Sequence, residues 1–213
     1  MTNPKHHPDE SLLFDYGSGS LARCARLVVS GHLAVCATCR RAVADVEEVG
    51  GALLNTLPAA VLRPDALDLA LARIERPPPR VTLAPTPRSD WIAAPPEALE
   101  AARTRRRWGA PGVWVAPITR GPGKSRSYLL GVAAGMSMPR HTHRGSEMVC
   151  VLTGAYRDGD TIHGPGDFAC SDETVEHQPH ITGDRECVCL VAAENALVPR
   201  DWVGRLFQPI VGI

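Results

Sequence analysis

The sequence predicts an α + β chain of two modules, a small N-terminal helical bundle followed by an all-β barrel. Three observations predict it. Apolar residues recur at helical spacing from Asp9 to about Arg76. A run of prolines, Pro77-Pro78-Pro79 through Pro85, Pro87, Pro95 and Pro96, is too rich for a packed element and reads as a semi-stiff extended linker. Beyond it the texture changes to short β-branched and apolar runs separated by glycine and proline, as in a sandwich or barrel. The expected boundaries are 1–80 for the helical module, 81–97 for the linker and 98–213 for the barrel. A chain of 213 residues is long enough for two such units, each able to bury a core.

Within the first module, Leu12, Leu13 and Tyr16 suit one face of a first helix, and Ser20 can cap a second that runs through Leu27 to Val29. A third starts near His32 and continues toward Val46 and Val49. Breaks are expected at Gly17-Ser18-Gly19, at Gly50-Gly51, and at Pro58 and Pro64. Asp65 starts a fourth helix, whose apolar stripe of Leu67, Leu71 and Ile74 needs something to bury it. The strands of the second module are expected in GVWVAPI, SYLLGVAAG, EMVCVLTGAY, ECVCLVAA and GRLFQPIV. Trp108 and Trp114 are expected to pack at its first strand and Trp202 near its last turns.

Charge narrows the function classes. Twenty-three lysines and arginines balance 23 aspartates and glutamates, so nothing draws the chain toward nucleic acid or an anionic membrane. The short basic run Arg103, Arg105, Arg106 and Arg107 reads as a solvated face or a contact between domains. No apolar run is long enough to span a bilayer, and MTNPKHHPDE has neither the basic nor the apolar part of a signal peptide, so the expected compartment is the cytoplasm. Seven cysteines, several beside histidines, then point to metal ligation before disulfides.

His32, Cys36 and Cys39 stand at i, i+4 and i+7, which on one helix would place all three on a single face. An imidazole and two thiolates suit zinc, and a structural zinc takes four such ligands. His6 and His7, just before the first helix, are the available fourth donors. Such a metal staples the N-terminus to the third helix and stabilises a module with little core of its own. Cys24 lies outside the spacing and reads as a small buried hydrophobe.

In the second module, Gly135-x5-His141-x-His143-x3-Glu147-x6-Gly154 resembles the first cupin motif at every position. On a strand His141 and His143 point to the same face and Glu147 shares their parity, so all three can enter one barrel interior. A second motif is looser: Gly164-Pro165-Gly166-Asp167 gives the turn, and His177 follows as the fourth ligand, with His180 and His163 as further candidates. Zinc suits this set, and iron or manganese would too. Cys187 and Cys189 share a strand face, a spacing poorly suited to a bridge, and fit either packing or a redox role.

The early histidine followed by His32-x3-Cys36-x2-Cys39 resembles the zinc-binding anti-sigma domain. That domain followed by a cupin barrel resembles the ChrR family of anti-sigma factors. The resemblance implies His7 as the fourth N-terminal ligand and one zinc per module. It also implies an extracytoplasmic-function sigma factor as partner, clasped by the helices with the last one lying apart. Release on an oxidative signal such as singlet oxygen or peroxide, sensed through the barrel's metal, is implied as well. The competing expectation is a cupin metal-dependent dioxygenase, in which Tyr156 or Glu176 could serve as the acid–base group. That alternative gives the N-terminal module no purpose.

Overall fold

The computed structural model describes residues 3–75, 91 and 94–199. Most of the expected linker, the GRLFQPIV strand and Trp202 lie outside these residues. Helix α1 (Glu10–Ser18) starts because the Asp9 carboxylate accepts the Leu12 N–H at 2.8 Å, and it ends on Gly19, whose φ of 79° closes the turn. Helix α2 (Arg23–Leu33) begins after Ala22, with no side-chain cap; the Ser20 hydroxyl is instead committed to Asp15. Helix α3 (Ala37–Asn55) runs straight through Gly50 and Gly51, where a break was expected. Each glycine costs about 1 kcal/mol there, which a 19-residue helix absorbs. Helix α4 (Ala66–Glu75) buries none of its residues.

The expectation of one helix carrying His32, Cys36 and Cys39 is corrected. His32 ends α2, Cys36 caps α3, and Cys39 lies in the first turn of α3. The chain reverses at Ala34-Val35, where Val35 and Cys36 N–H both donate to the His32 carbonyl.

Pro95 and Pro96 open a further helix, α5 (Pro96–Thr104), since proline fits a first helical turn without losing a hydrogen bond. Among the described residues twelve strands follow. β1 (Arg107–Ala110), β2 (Val113–Arg120), β3 (Arg126–Val132), β11 (Cys187–Ala193), β5 (Glu147–Thr153) and β8 (Phe168–Ser171) form one antiparallel sheet in that order. Facing it are two three-stranded sheets. One is β10 (His180–Thr182), β6 (Ala155–Asp158) and β7 (Thr161–His163); the other is β12 (Val198–Pro199), β4 (His141–Thr142) and β9 (Glu176–His177).

The large sheet has apolar residues on both faces. In β5, Val149 and Val151 turn inward with Tyr128, Val191 and Ile181, while Met148, Cys150 and Leu152 turn outward. The outward face is covered by α2, whose Val28, Val29 and Leu33 join Leu129, Cys150, Leu152 and Leu190 in one core. Gly31 allows the close approach, with Leu190 only 3.4 Å from where a Cβ would stand. Burial of each large aliphatic there contributes roughly 1.5–3 kcal/mol. The helical module is thus seated on the barrel by a shared core. Trp114 is buried as expected, but Trp108 is 63% exposed. It forms one side of a slot in which the Arg106 guanidinium lies 4.8 Å from its ring and 4.2 Å from that of Trp114.

Candidate metal centres

Three stretches of chain deliver the four donors of the first centre. The segment before α1 brings His7, the end of α2 brings His32, and the start of α3 brings Cys36 and Cys39. Their donor atoms lie within 4.8 Å of one another. His7 Nδ1 stands 3.4 Å from His32 Nε2, from Cys36 Sγ and from Cys39 Sγ, and His32 Nε2 is 3.3 Å from Cys39 Sγ. Zn–N and Zn–S bonds of the usual length give tetrahedral N–N and N–S edges of about 3.3–3.6 Å, which these separations match. His32, Cys36 and Cys39 are buried and His7 is exposed, so one corner faces solvent. Burial, with the neighbouring Cys36 adding to it, pushes the Cys39 thiol up to about 12. A bound cation would replace that proton, as two buried thiolates without one would be strongly disfavoured.

His6 takes no part in this group; its ring lies 4.6 Å from that of His163. Cys24 is buried and also outside the group.

The second centre lies inside the barrel. His141 of β4 and His177 of β9 are register partners on adjacent strands, His143 follows β4 in the next turn, and Glu147 opens β5. All four donors again lie within 4.8 Å of one another, with His177 Nε2 at 2.9 Å from His141 Nε2 and 3.1 Å from His143 Nε2. Three of the four have a partner outside the group that aims them. His141 Nδ1 donates to Pro139 O at 2.8 Å, His177 Nδ1 donates to Asp158 Oδ2 at 2.6 Å, and Tyr128 O–H donates to Glu147 Oε1 at 3.3 Å.

Burial depresses His143 to about 4, with His141 and His177 adding to the effect, and depresses His141 as well. It pushes Glu147 up to about 7. Three imidazoles and a carboxyl group form a set that accepts a divalent cation once the carboxyl proton has left. A cavity of roughly 60 Å³ beside them is lined by Tyr128, Tyr156 and Cys189.

Of the sequence candidates for the fourth barrel donor, only His177 joins the group. His180 bonds to the Ser137 hydroxyl, and His163 stacks on Tyr156 at 4.8 Å. Cys187 and Cys189 are buried with their sulfurs 3.7 Å apart. Asp158 and Tyr128 were not found by sequence reasoning, because no spacing rule links them to His177 and Glu147, the donors they orient. Three arginines of the basic run have partners within the chain: Arg103 pairs with Glu100, Arg105 donates to Ile118 O, and Arg106 lies 3.8 Å from Glu186. Among the described residues no helix is long and apolar enough to cross a membrane.

The fold and its two donor clusters define a two-module protein in which a helical unit pinned by histidine and cysteine is docked on a barrel with a three-histidine, one-glutamate interior. Residues 99–196 match the family described as the ChrR cupin-like domain. Across 98% of this chain and 99% of its own, the anti-sigma-E factor ChrR of Cereibacter sphaeroides is 33% identical. A crystal structure of Rhodobacter sphaeroides SigE in complex with the anti-sigma ChrR matches with a TM-score of 0.74 at 29% identity, covering 90% of this chain and 100% of that one. The chain belongs to the ChrR family of anti-sigma factors.

Proposed function

We propose that this chain sequesters an extracytoplasmic-function sigma factor with its N-terminal helices and releases it on an oxidative signal received through the barrel. The observation that carries the reading is the unburied apolar surface of the helical module. Leu67, Leu69, Leu71 and Ile74 of α4 are exposed, as are Val49, Leu53 and Leu54 toward the end of α3. A soluble chain that leaves a whole helix unburied is built to bury it against another protein. The relative's crystallised complex with SigE identifies the class of partner.

His7, His32, Cys36 and Cys39 would hold a structural zinc, which supplies a closed cross-link between the segment before α1, α2 and α3. His141, His143, Glu147 and His177 would hold the second ion, zinc, or iron or manganese. The expected compartment, where sigma factors work, is the cytoplasm. The proposed domain limits, 1–80 and 98–213 around a linker of 81–97, assign clasping to the first part and sensing to the second.

The test is co-expression of the full chain with a candidate extracytoplasmic-function sigma factor of its organism, followed by purification and metal analysis. A one-to-one complex that Cys36→Ser/Cys39→Ser abolishes is expected. A folded chain that binds no such factor would sink the reading. With the complex in hand, an organic hydroperoxide or singlet oxygen should release the sigma factor, and His141→Ala/Glu147→Ala should blunt release while leaving binding intact. Loss of binding in that variant would overturn the division of labour.

A further inference from the structure

The first metal centre is not built by the helical module alone. His7 stands on a segment whose backbone is tied to the barrel: Lys5 N–H and His6 N–H donate to Asp167 Oδ1 at 2.6 and 3.0 Å, and Phe168 N–H donates to His6 O at 3.0 Å. His32 presents Nε2 to the cluster because its Nδ1–H donates to Gly166 O at 2.7 Å. Two of the four donors therefore take their position from one turn of the barrel, Gly164 to Asp167.

The turn is shaped for this. Asp167 is buried, and its Oδ2 accepts the Gly164 N–H at 2.8 Å, which holds the loop closed and leaves Oδ1 for the N-terminal segment. Gly166 has φ of 88°, and a Cβ on it would stand 2.9 Å from both Pro4 and Val35. Val35 lies in the reversal between His32 and Cys36, so the turn presses directly on the ligand loop.

The same turn is bonded to β5. Val151 N–H donates to Asp167 O at 3.1 Å, and Gly166 N–H donates to Val151 O at 2.8 Å. Glu147, four residues earlier, opens the same strand and belongs to the barrel's donor group. One short stretch of strand thus has a donor of the second centre at one end and the support of the first centre at the other.

We propose that the Gly164–Asp167 turn is the outer shell of the N-terminal metal centre and the link through which the barrel sets how firmly that centre holds its metal. This rests on the reading of His7, His32, Cys36 and Cys39 as a metal site. A metal-bound imidazole is aimed by whatever its other nitrogen bonds, and loss of such a partner typically costs 10–100-fold in metal affinity. Strand β5 gives the coupling a physical path, which a thermodynamic cycle can measure.

The experiment uses the full chain loaded with cobalt. Sulfur-to-cobalt charge transfer reports the N-terminal centre alone, because the barrel's donor group contains no cysteine. A missing band in the native chain overturns the metal reading and the proposal with it. With the band present, its loss to a chelator is timed in Asp167→Ala and in Lys5→Pro, the second of which removes one N–H donor to Asp167 without touching the barrel. Both are expected to lose cobalt faster, Asp167→Ala by about 10-fold or more. Native rates in folded Lys5→Pro and Asp167→Ala overturn the proposal while leaving the metal reading intact. Glu147→Gln should speed loss in the native background and by a smaller factor in Lys5→Pro; equal factors in both backgrounds overturn the link.

Discussion

Glu147 shows what burial does to a ligand before any metal arrives. Its carboxyl is pushed up to about 7, so below that pH the metal-free protein carries a proton where a cation must bind. His143, held down near 4, has no proton to give at pH 5–7. Displacing the Glu147 proton should therefore weaken metal binding about tenfold for each pH unit below 7, and the dependence on this group should flatten above it. Calorimetry at pH 6 in two buffers of different ionisation enthalpy should find about one proton released from this group per metal; no difference between native and Glu147→Gln would show that Glu147 is not a ligand. Asp158→Asn should cost about 10-fold or more in barrel metal affinity by freeing the His177 ring. His32, Cys36, Cys39, His141, His143 and Glu147 were legible in the sequence because they fall into local spacings that chemistry restricts, whereas His7 came from the family resemblance and His177 from a looser motif. Their supports were not. His32 and Gly166 are 134 positions apart, and no periodicity predicts that a backbone carbonyl will face an imidazole across such a distance.

Helices were legible where an apolar face repeats, and less so where one ends. Nothing in His32-x3-Cys36-x2-Cys39 distinguishes a continuous helix from two helices meeting at a tight reversal, since both bring the three side chains together. Nor did the apolar face of α2 say what it would cover. Gly31 now explains how it lies so close to the sheet, and it gives a graded test. A methyl group there meets Leu190 and Cys150 at ordinary contact distances of 3.4 and 3.7 Å, so Gly31→Ala should be neutral or stabilise by up to about 1 kcal/mol through helix propensity. Gly31→Leu should overpack the interface and destabilise by about 1–3 kcal/mol in denaturant titration. Equal stability of the two variants would mean that α2 does not rest on the sheet as described. Helix α4 gives the opposite case. Because it buries nothing within the chain, Leu67→Asp/Leu71→Asp should leave the unfolding free energy within about 1 kcal/mol of native while lowering sigma-factor affinity at least 100-fold. Tight binding by that double variant would remove α4 from the clasp.

On the scale of the whole molecule, a proline-rich stretch in the sequence suggested two modules with separate cores, and composition could not have revealed that the barrel's outer face is apolar. The large sheet is the centre of the molecule, with Trp114, Leu129 and Leu190 on the helix side and Val151, Val191 and Ile181 on the other. A sheet packed on both faces ties the stability of each layer to the other, because stripping α2 from Leu152 and Leu190 would expose apolar area that β5 and β11 cannot cover. The described helices α1 to α3 and the barrel should therefore unfold together. Heating the metal-loaded chain should give one transition, coincident in far-ultraviolet circular dichroism, which follows the helices, and in the near-ultraviolet signal of buried Trp114, which follows the barrel. Chelation should lower that single midpoint, since an ion held only by the folded state at 100 times its Kd adds about 2.7 kcal/mol. Two separated transitions, with the helical one alone responding to chelator, would instead mean that the shared core is too weak to couple the modules, and an oxidant acting in the barrel would then need another route to the clasp.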